Sequence, residues 1–352
     1  MHAGISLKIT GLGGKILFKG NSQQHTVLLT GAGGVAVPFL IESLQKRGFR
    51  VIGADMDPSA IGLYVADQGY VIPGGMSPDF LRVMKEICKK ELVRAVVPLV
   101  DEELISAFEL ENDGVHVVLP KPAFISTCLD KFVLMTKLKD AGITVPETHL
   151  VSDGYSDIRF PAIVKPRRGR GSRGIQRVDS MEVLNSFLNA SAYASEDLLV
   201  QEYIQGIEYT VSVVVWRDGG VQAVVPKEII SKKGITRMAV TRRNSKIEHV
   251  CSEVQNKFGA DGPFNVQLCY DMQRDEPVIF EINPRFSTST TLTMSAGIDE
   301  VAGLLSQAII GDRSVHIKEW CEGVVMIRMS MDKFMDETEF CLRRENIIDW
   351  RK

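Results

Sequence analysis

The sequence predicts an open parallel α/β domain followed by a larger α+β domain. Apolar strands alternate with helical stretches as far as Pro120, which is typical of a parallel sheet. Beyond it, strand-like runs dominate and short turns such as Asp218-Gly219-Gly220 indicate antiparallel hairpins. The 352 residues suffice for two or three domains. The first domain is therefore expected to be Rossmann-like and the second to carry antiparallel sheets.

The Rossmann-like domain is expected at residues 25–120, after an extension at residues 1–24. Its first strand, Thr26–Thr30, leads through a glycine turn into a helix that ends near Gly48. A second strand ends at Asp55. The elements that follow are strands at Gly69–Ile72, Ala95–Val97 and Val115–Leu119, and helices at Pro78–Lys90 and Glu102–Glu111.

The second domain is expected at residues 121–330, with a central lobe at about 121–200, a C-terminal lobe at about 201–330 and a tail at 331–352. It opens with helices at Lys121–Thr127 and Lys131–Ala141. The expected strands are Ala162–Lys165, Leu198–Glu202, Tyr209–Trp216, Val221–Pro226, Phe264–Tyr270 and Pro277–Ile282. The expected helices are Met181–Asn189, Asn244–Phe258 and Asp299–Ile310.

Composition excludes several classes of function. The chain has 41 Lys+Arg and 44 Asp+Glu, a net charge of −3, so it has no overall attraction for nucleic acid or anionic membranes. No apolar run reaches the length of a membrane-spanning helix. The six cysteines form no C-x-x-C pair, which argues against a zinc site or a disulfide framework. We expect a cytosolic protein without nucleic-acid or membrane partners.

The first motif is Gly31-x-Gly33-x-x-Ala36, which follows a strand and opens a helix. With Asp55 about twenty residues later, it satisfies the dinucleotide fingerprint, so a nicotinamide-dependent oxidoreductase is one hypothesis. The alternative is structural, because a tight turn from strand to helix needs glycine whether or not a pyrophosphate binds there.

A second motif is the segment 162–175, an apolar strand that ends at Lys165 and continues into a turn with three glycines. Backbone N–H groups of such a loop can hold phosphate oxygens, and nearby cations add charge-assisted hydrogen bonds. The cations of the loop are Arg167, Arg168, Arg170 and Arg173. The alternative interpretation is an exposed basic hairpin or a nucleic-acid patch.

Two further segments carry paired polar side chains. Gln201-Glu202-Tyr203-Ile204 ends one strand and Glu208 begins the next, an arrangement that could hold an adenine edge and a ribose, or simply face solvent. Glu281 and Asn283 are two residues apart on a strand and therefore share a face. Folding the hairpin places Gln267 opposite position 280 or 281, which completes an oxygen set that suits Mg²⁺. Arg285 follows, where it could hold transferring phosphate.

These segments together resemble the ATP-grasp superfamily, and within it the synthetase halves of the carbamoyl phosphate synthase large subunit. The resemblance covers roughly residues 25–330. The motifs that carry it are Pro98-x-x-Asp101-Glu102-Glu103-Leu104, Asp130-Lys131, Ala141-Gly142-Ile143-x-x-Pro146, Lys165-Pro166, Gly171-Ser172-x-Gly174, Gln201-Glu202-Tyr203-Ile204-x-Gly206-x-Glu208, Asn265-Val266-Gln267, Glu281-Ile282-Asn283-Pro284-Arg285 and Ser295-Ala296-Gly297. The resemblance implies a preATP-grasp domain followed by two α+β lobes that clamp ATP.

The resemblance also implies roles for single residues. Lys131 and Lys165 would contact the nucleotide phosphates, and Arg285 would act with Lys165 in catalysis. The closing loop would contribute Gly171, Ser172, Gly174 and Ile175. The adenine hinge would be Glu202, Tyr203 and Ile204, with Glu208 on the ribose. The magnesium ligands would be Gln267, Glu281 and Asn283, holding two Mg²⁺ ions that Mn²⁺ could replace. Candidate substrate residues are Asp101, Glu102, Lys227 and Arg242.

A second basic group, Lys227, Lys232, Lys233, Arg237, Arg242 and Arg243, lies between the hinge and the metal strands. In related single-unit ligases this segment often covers the acceptor site. The bland alternative is a solvated face.

The expected function is that of a Mg-ATP-dependent carboxylate–amine ligase. A small amino acid or other small carboxylate would form an acyl phosphate, which an amine would capture to give an amide or peptide bond. Carbamoyl phosphate synthesis is not expected, because the chain has room for one synthetase half and nothing resembling a glutaminase. The alternatives are the oxidoreductase and a non-catalytic ATP-binding subunit. A homodimer is a possible state.

Overall fold

The computed structural model describes residues 25–171, 173–312, 319–329 and 332–351. The expected extension at 1–24 lies outside the described residues. The fold class is confirmed: a parallel α/β sheet precedes two antiparallel sheets. Within the described ranges, no helix has both the length and the apolar character needed to cross a bilayer.

The strands are β1 (Thr26–Leu29), β2 (Arg50–Asp55), β3 (Gln68–Val71), β4 (Val93–Val97), β5 (His116–Val117), β6 (Thr148–Leu150), β7 (Ala162–Pro166), β8 (Gln176–Val178), β9 (Leu198–Glu202), β10 (Ile207–Val215), β11 (Val221–Lys233), β12 (Ile235–Thr241), β13 (Phe264–Asp271), β14 (Glu276–Asn283), β15 (Val325–Ile327) and β16 (Ile348–Asp349). The helices are α1 (Val37–Lys46), α2 (Ile61–Val65), α3 (Phe80–Lys90), α4 (Leu104–Phe108), α5 (Pro122–Leu129), α6 (Lys131–Asp140), α7 (Met181–Ala190), α8 (Ser245–Phe258), α9 (Thr290–Ser295), α10 (Glu300–Ile310) and α11 (Glu337–Asn346).

The first sheet is parallel and runs in the order β16-β3-β2-β1-β4-β5. Its central strands are buried on both faces, as expected where helices cover a parallel sheet on both sides. Because β1 lies between β2 and β4, the strand order reverses next to β1. The carboxyl ends of β1 and β4 therefore form a switch point, where open α/β sheets usually bind ligands.

The two antiparallel sheets carry the second domain. The smaller sheet runs in the order β6-β9-β7-β8 and the larger in the order β14-β13-β10-β11-β12-β15. One face of the larger sheet is apolar: Val211, Val266 and Ile282 pack in one core cluster with Ile247 and Val254 of α8. Since side chains alternate along a strand, the residues between these point to the opposite face.

Residues 332–351, expected as a tail, instead pack on the first sheet. Strand β16 pairs in parallel with β3, and the Trp350 amide donates to Val71 O at 2.9 Å. The Phe340 ring stacks on Tyr64 with centroids 5.7 Å apart. Sequence patterns miss this segment because β16 has only two residues and α11 buries none. The segment covers a sheet edge that would otherwise stay open.

Replacing Phe340 by Ala should lower the free energy of unfolding by about 1–2 kcal/mol, because the stacked ring contact is lost. Leu342→Ala on the same helix is the matched control, since Leu342 is 57% exposed, and should change it by less than about 0.5 kcal/mol. Urea unfolding measures both. Equal effects of the two variants would contradict a docked C-terminal segment.

Candidate functional site

The glycine motif forms a tight turn whose amides bond within the protein. Gly31 has φ +60°, and a Cβ there would lie 2.8 Å from Val100 Cγ2, so glycine is required. The Gly33 amide donates to Asp55 Oδ2 at 2.8 Å, and the Gly34 amide donates to Gly31 O at 2.8 Å. Donors that a pyrophosphate would need are therefore already used, which favours the structural interpretation of the motif.

The turn after β4 places three acidic residues at the switch point. Glu103 is 3% exposed and accepts from the amides of Leu99 and Val100 at 3.1 and 3.2 Å, and from the Thr30 hydroxyl. Burial raises the pKa of Glu103 to about 7. Sequence reasoning did not single out this residue, although it lies within the Asp101-Glu102-Glu103 run. Its bonds fix the turn to the ends of both central strands.

The candidate substrate residues Asp101 and Glu102 face arginines of the second domain. The Arg285 Nε donates to Asp101 Oδ1 at 2.5 Å, and the Arg170 Nε donates to both Glu102 oxygens at 2.8 and 3.0 Å. The structure thus brings both carboxylates to the cleft, where each is already paired with an arginine.

The glycine-rich loop connects the antiparallel strands β7 and β8, as the sequence predicts. It forms one wall of a pocket that collects five of the expected site residues: Lys131, Lys165, Gly171, Ile175 and Glu281. The other lining residues are Pro166, Gly169, Arg170 and Arg173. Gly174 belongs to the same loop and has φ +71°. Ser172 lies outside the described residues.

Two buried lysines face this pocket. Lys165 is 3% exposed and donates to Phe280 O at 3.2 Å, and Lys131 is 7% exposed and donates to Gly169 O at 2.7 Å. Within the described ranges, neither ammonium forms an ion pair with a carboxylate. Burial lowers the pKa of Lys165 to about 8, against the opposing effect of Glu281, and the Lys131 charge lowers it further. Cations buried in this way fit an anionic ligand.

The loop arginines have different partners. Arg167 and Arg168 donate to the Asp130 carboxylate at 2.9 and 2.7 Å, and Asp130 also accepts from the Val133 amide as the N-cap of α6. These two arginines therefore fasten the loop to α6. Arg173 is exposed on the pocket wall and has no ion-pair partner in the described part of the chain.

The oxygen ligands expected for magnesium share one face of the larger sheet. Gln267 pairs directly with Glu281, and Asn283 pairs with Asn265. A bulge makes Leu268 pair with Ile279, so Phe280 is the extra residue of β14. Amide oxygens with one carboxylate fit Mg²⁺, which completes its shell with phosphate oxygens and water. Among the described residues, no group of three His, Cys, Asp or Glu could hold a metal by itself.

The expected adenine hinge lies outside the pocket lining. The amides of Glu202 and Tyr203 donate to Glu147 O at 2.8 Å and Pro161 O at 3.2 Å, and the Glu202 carboxylate accepts from Arg274 at 3.0 Å. Glu208, the ribose candidate, accepts from Lys232 at 2.5 Å. Ile204 O accepts a weak bond from Cys269 Sγ. Adenine binding here stays a prediction.

Lys227 is one of the candidate substrate residues expected from the sequence, but the structure places it away from the pocket. It is fully buried and donates to the Ser212 and Thr293 hydroxyls at 2.8 and 2.9 Å, while Ser212 donates to the buried Glu300. It shares a cross-strand row with Gln267 and Glu281, but stands three strands from Glu281, or about 14 Å. Burial lowers the pKa of Lys227 to about 8.

Arg242, the other basic candidate for the substrate site, also lies away from the pocket. It donates to Glu228 at 2.9 Å. Glu228 pairs with Tyr209 of the apolar face, opposite to Gln267 and Glu281. The basic run does not form one surface because neighbouring residues on a strand point to opposite faces.

Replacing Lys165 by Met should raise the thermal unfolding midpoint at pH 7, because the buried ammonium opposes folding by up to about 3 kcal/mol. Between pH 8 and 10.5 the unfolded chain binds more protons than the folded one at this site, so the wild type gains stability as the pH rises. The difference between the unfolding midpoints of the variant and the wild type, called the gap, therefore shrinks. Unfolding scans from pH 7 to 10 measure it. The exposed Lys139→Met is the control, and a gap independent of pH would contradict burial of the charge.

Several solved structures are similar in fold. An L-amino acid ligase from Bacillus licheniformis has a TM-score of 0.64 and 16% identity, over 82% of this chain and 75% of that one. An N5-carboxyaminoimidazole synthetase from Staphylococcus aureus, complexed with ADP, has a TM-score of 0.66 and 16% identity, over 87% and 81%. The biotin carboxylase domain of 2-oxoglutarate carboxylase from Hydrogenobacter thermophilus, with MgADP and bicarbonate, has a TM-score of 0.66 and 17% identity, over 83% and 71%.

Two family matches cover most of the described chain. Residues 27–116 match the PylC-like N-terminal domain, and residues 128–289 match the ATP-grasp domain. The second match includes the glycine-rich loop, the expected hinge, and strands β13 and β14 with the expected magnesium ligands. Residues 27–116 therefore form a PylC-like N-terminal domain, and residues 128–289 form an ATP-grasp domain.

Proposed function

We propose that the protein is a Mg-ATP-dependent carboxylate–amine ligase that acts on a small amino acid or another small carboxylate. The observation that carries the proposal is the pocket in which Lys131 and Lys165 are buried beside Glu281, neither forming an ion pair with a carboxylate of the described residues. Such a pocket suits a nucleotide phosphate. The neighbours named as an amino acid ligase and as an ADP-bound synthetase support the same interpretation.

The proposed ligation has two steps, and the residues of the site can be assigned to them. A substrate carboxylate oxygen attacks the γ-phosphorus of ATP, the bond to the bridging oxygen breaks, and ADP leaves. The amine nitrogen then attacks the acyl carbon, forming the C–N bond, while phosphate departs and the nitrogen loses a proton. Lys131 and Lys165 hold the phosphates, and Arg285 stabilises the charge of the transferring group.

Magnesium neutralises the phosphate charge when bound, and Gln267, Glu281 and Asn283 are the residues that would hold it. We expect two ions, and Mn²⁺ as a substitute. A cytosolic location and a homodimer are further parts of the proposal.

The alternatives have weaker support. An oxidoreductase would need the amides of the glycine turn, and those of Gly33 and Gly34 are used within the protein. A non-catalytic subunit would not need Glu281 opposite Gln267 beside two buried lysines.

Replacing Glu281 by Gln should lower ADP formation at least about a hundredfold, because the carboxylate of the metal site is lost. Glu276→Gln on the same strand is the matched control and should keep wild-type turnover. Coupled-enzyme detection of ADP measures both, with circular dichroism to verify folding. Full turnover by the Glu281 variant would remove this residue from the site.

The substrates can be found by screening amino acids and small carboxylates pairwise for ADP release, with mass spectrometry of the product. We expect one equivalent of ADP and phosphate per amide formed. NADH binding in the micromolar range without Mg-ATP binding would instead favour the oxidoreductase. Mg-ATP binding with no ADP from any pair would favour the non-catalytic subunit.

A further inference from the structure

Asp101 of the first domain and Arg285 of the second form an enclosed ion pair. The Arg285 Nε donates to Asp101 Oδ1 at 2.5 Å, and each side chain is only 14% exposed. By contrast, the neighbouring pair of Glu102 and Arg170 is 41% and 38% exposed. Exposed pairs contribute little, whereas an enclosed pair holds its geometry because either charge alone would be costly to bury.

The turn that carries Asp101 is held in place by hydrogen bonds to Glu103. Glu103, two residues later, accepts from the Leu99 and Val100 amides and from the Thr30 hydroxyl at the end of β1. The turn that carries Asp101 is thereby fixed to the carboxyl ends of β1 and β4. An added Cβ on Gly75 would lie 2.8 Å from the Glu103 backbone nitrogen, so a neighbouring loop also packs closely on this turn.

On the other side, Arg285 lies two residues after the end of β14, the strand that carries Glu281 and Asn283. Its amide donates to Asn283 O at 2.8 Å, and its Nη1 donates to Phe286 O at 3.3 Å. With Nε bound to Asp101, two of the three guanidinium nitrogens have acceptors. In the described residues Nη2 has none, and it remains available to an anionic ligand.

We propose that Asp101 is a positioning residue that orients Arg285 for phosphoryl transfer, and not a substrate ligand. This inference rests on the proposed function. Because Asp101 belongs to the PylC-like domain, that domain completes the transfer site of the ATP-grasp domain. Asp101 is only 14% exposed and one of its oxygens already accepts from Arg285, so the positioning role stands as the alternative to the substrate role predicted from the sequence.

A double-mutant cycle tests the inference. Asp101→Ala should lower kcat for ADP formation about a hundredfold while the KM for the carboxylate substrate changes less than about threefold, because a misplaced group costs mainly the chemical step. In the Arg285→Ala background the same change should cost less than about twofold, since Asp101 then has nothing to position. Asp101→Glu should recover part of the loss.

Glu109→Gln is the control, because Glu109 is exposed and lies on the same segment of the first domain. The positioning role would be overturned if the kcat losses of the two single variants multiplied in the double variant. It would also be overturned if Asp101→Ala changed only the KM for the carboxylate substrate.

A second readout needs no turnover and separates this inference from the proposed function. In ¹⁵N-arginine spectra, the Arg285 Nε–H, assigned by its absence in Arg285→Lys, should exchange at least about tenfold more slowly than in Asp101→Ala. Equal exchange rates would show that Asp101 does not hold Arg285. A wild-type protein with a slow Nε–H but no ADP formation from any substrate would refute the phosphoryl-transfer role together with the proposed function, while leaving the ion pair established.

Discussion

The burial of the Lys165 ammonium is the constraint on which the cleft depends. Lys165 lies at the end of β7 in the smaller sheet and donates to Phe280 O on β14 of the larger one, so one cation joins the two sheets. Burying a charge is costly, and burial accordingly lowers the pKa of Lys165. An anion between the sheets removes that cost. In the proposed function, nucleotide binding and the docking of the two sheets would therefore stabilise each other.

The bulge at Phe280 affects the same cleft in two ways. Its carbonyl accepts from Lys165, and its extra residue resets the alternation of β14. Without it, Glu281 would share a face with Ile279, which is buried in the apolar cluster. With it, Glu281 lies opposite Gln267 on the polar face. A one-residue irregularity thus decides whether the proposed magnesium ligands Gln267 and Glu281 lie opposite each other.

Sequence reasoning succeeded where local pattern decides the structure. Strand Leu198–Glu202 was placed with its observed bounds, and the hairpin register was narrowed to the two residues opposite Gln267 that the bulge involves. It failed where distant packing decides. Nothing near Lys227 indicates that helices α9 and α10 supply Thr293 and Glu300 to enclose it. The two-residue strand β16 is too short for any periodic pattern to reveal.

Ion pairs in the cleft hold the arginine-rich loop within its own domain and against the first domain. Arg167 and Arg168 share Asp130 of their own domain, whereas Arg170 and Arg285 bind Glu102 and Asp101 of the other domain. The domain that resembles a dinucleotide-binding fold therefore contributes carboxylates to the cleft, while the Gly33 and Gly34 amides of its glycine turn bond within the protein. Because Asp101 and Glu102 follow β4 at the switch point, the usual ligand crevice of an open α/β sheet adjoins the phosphate pocket.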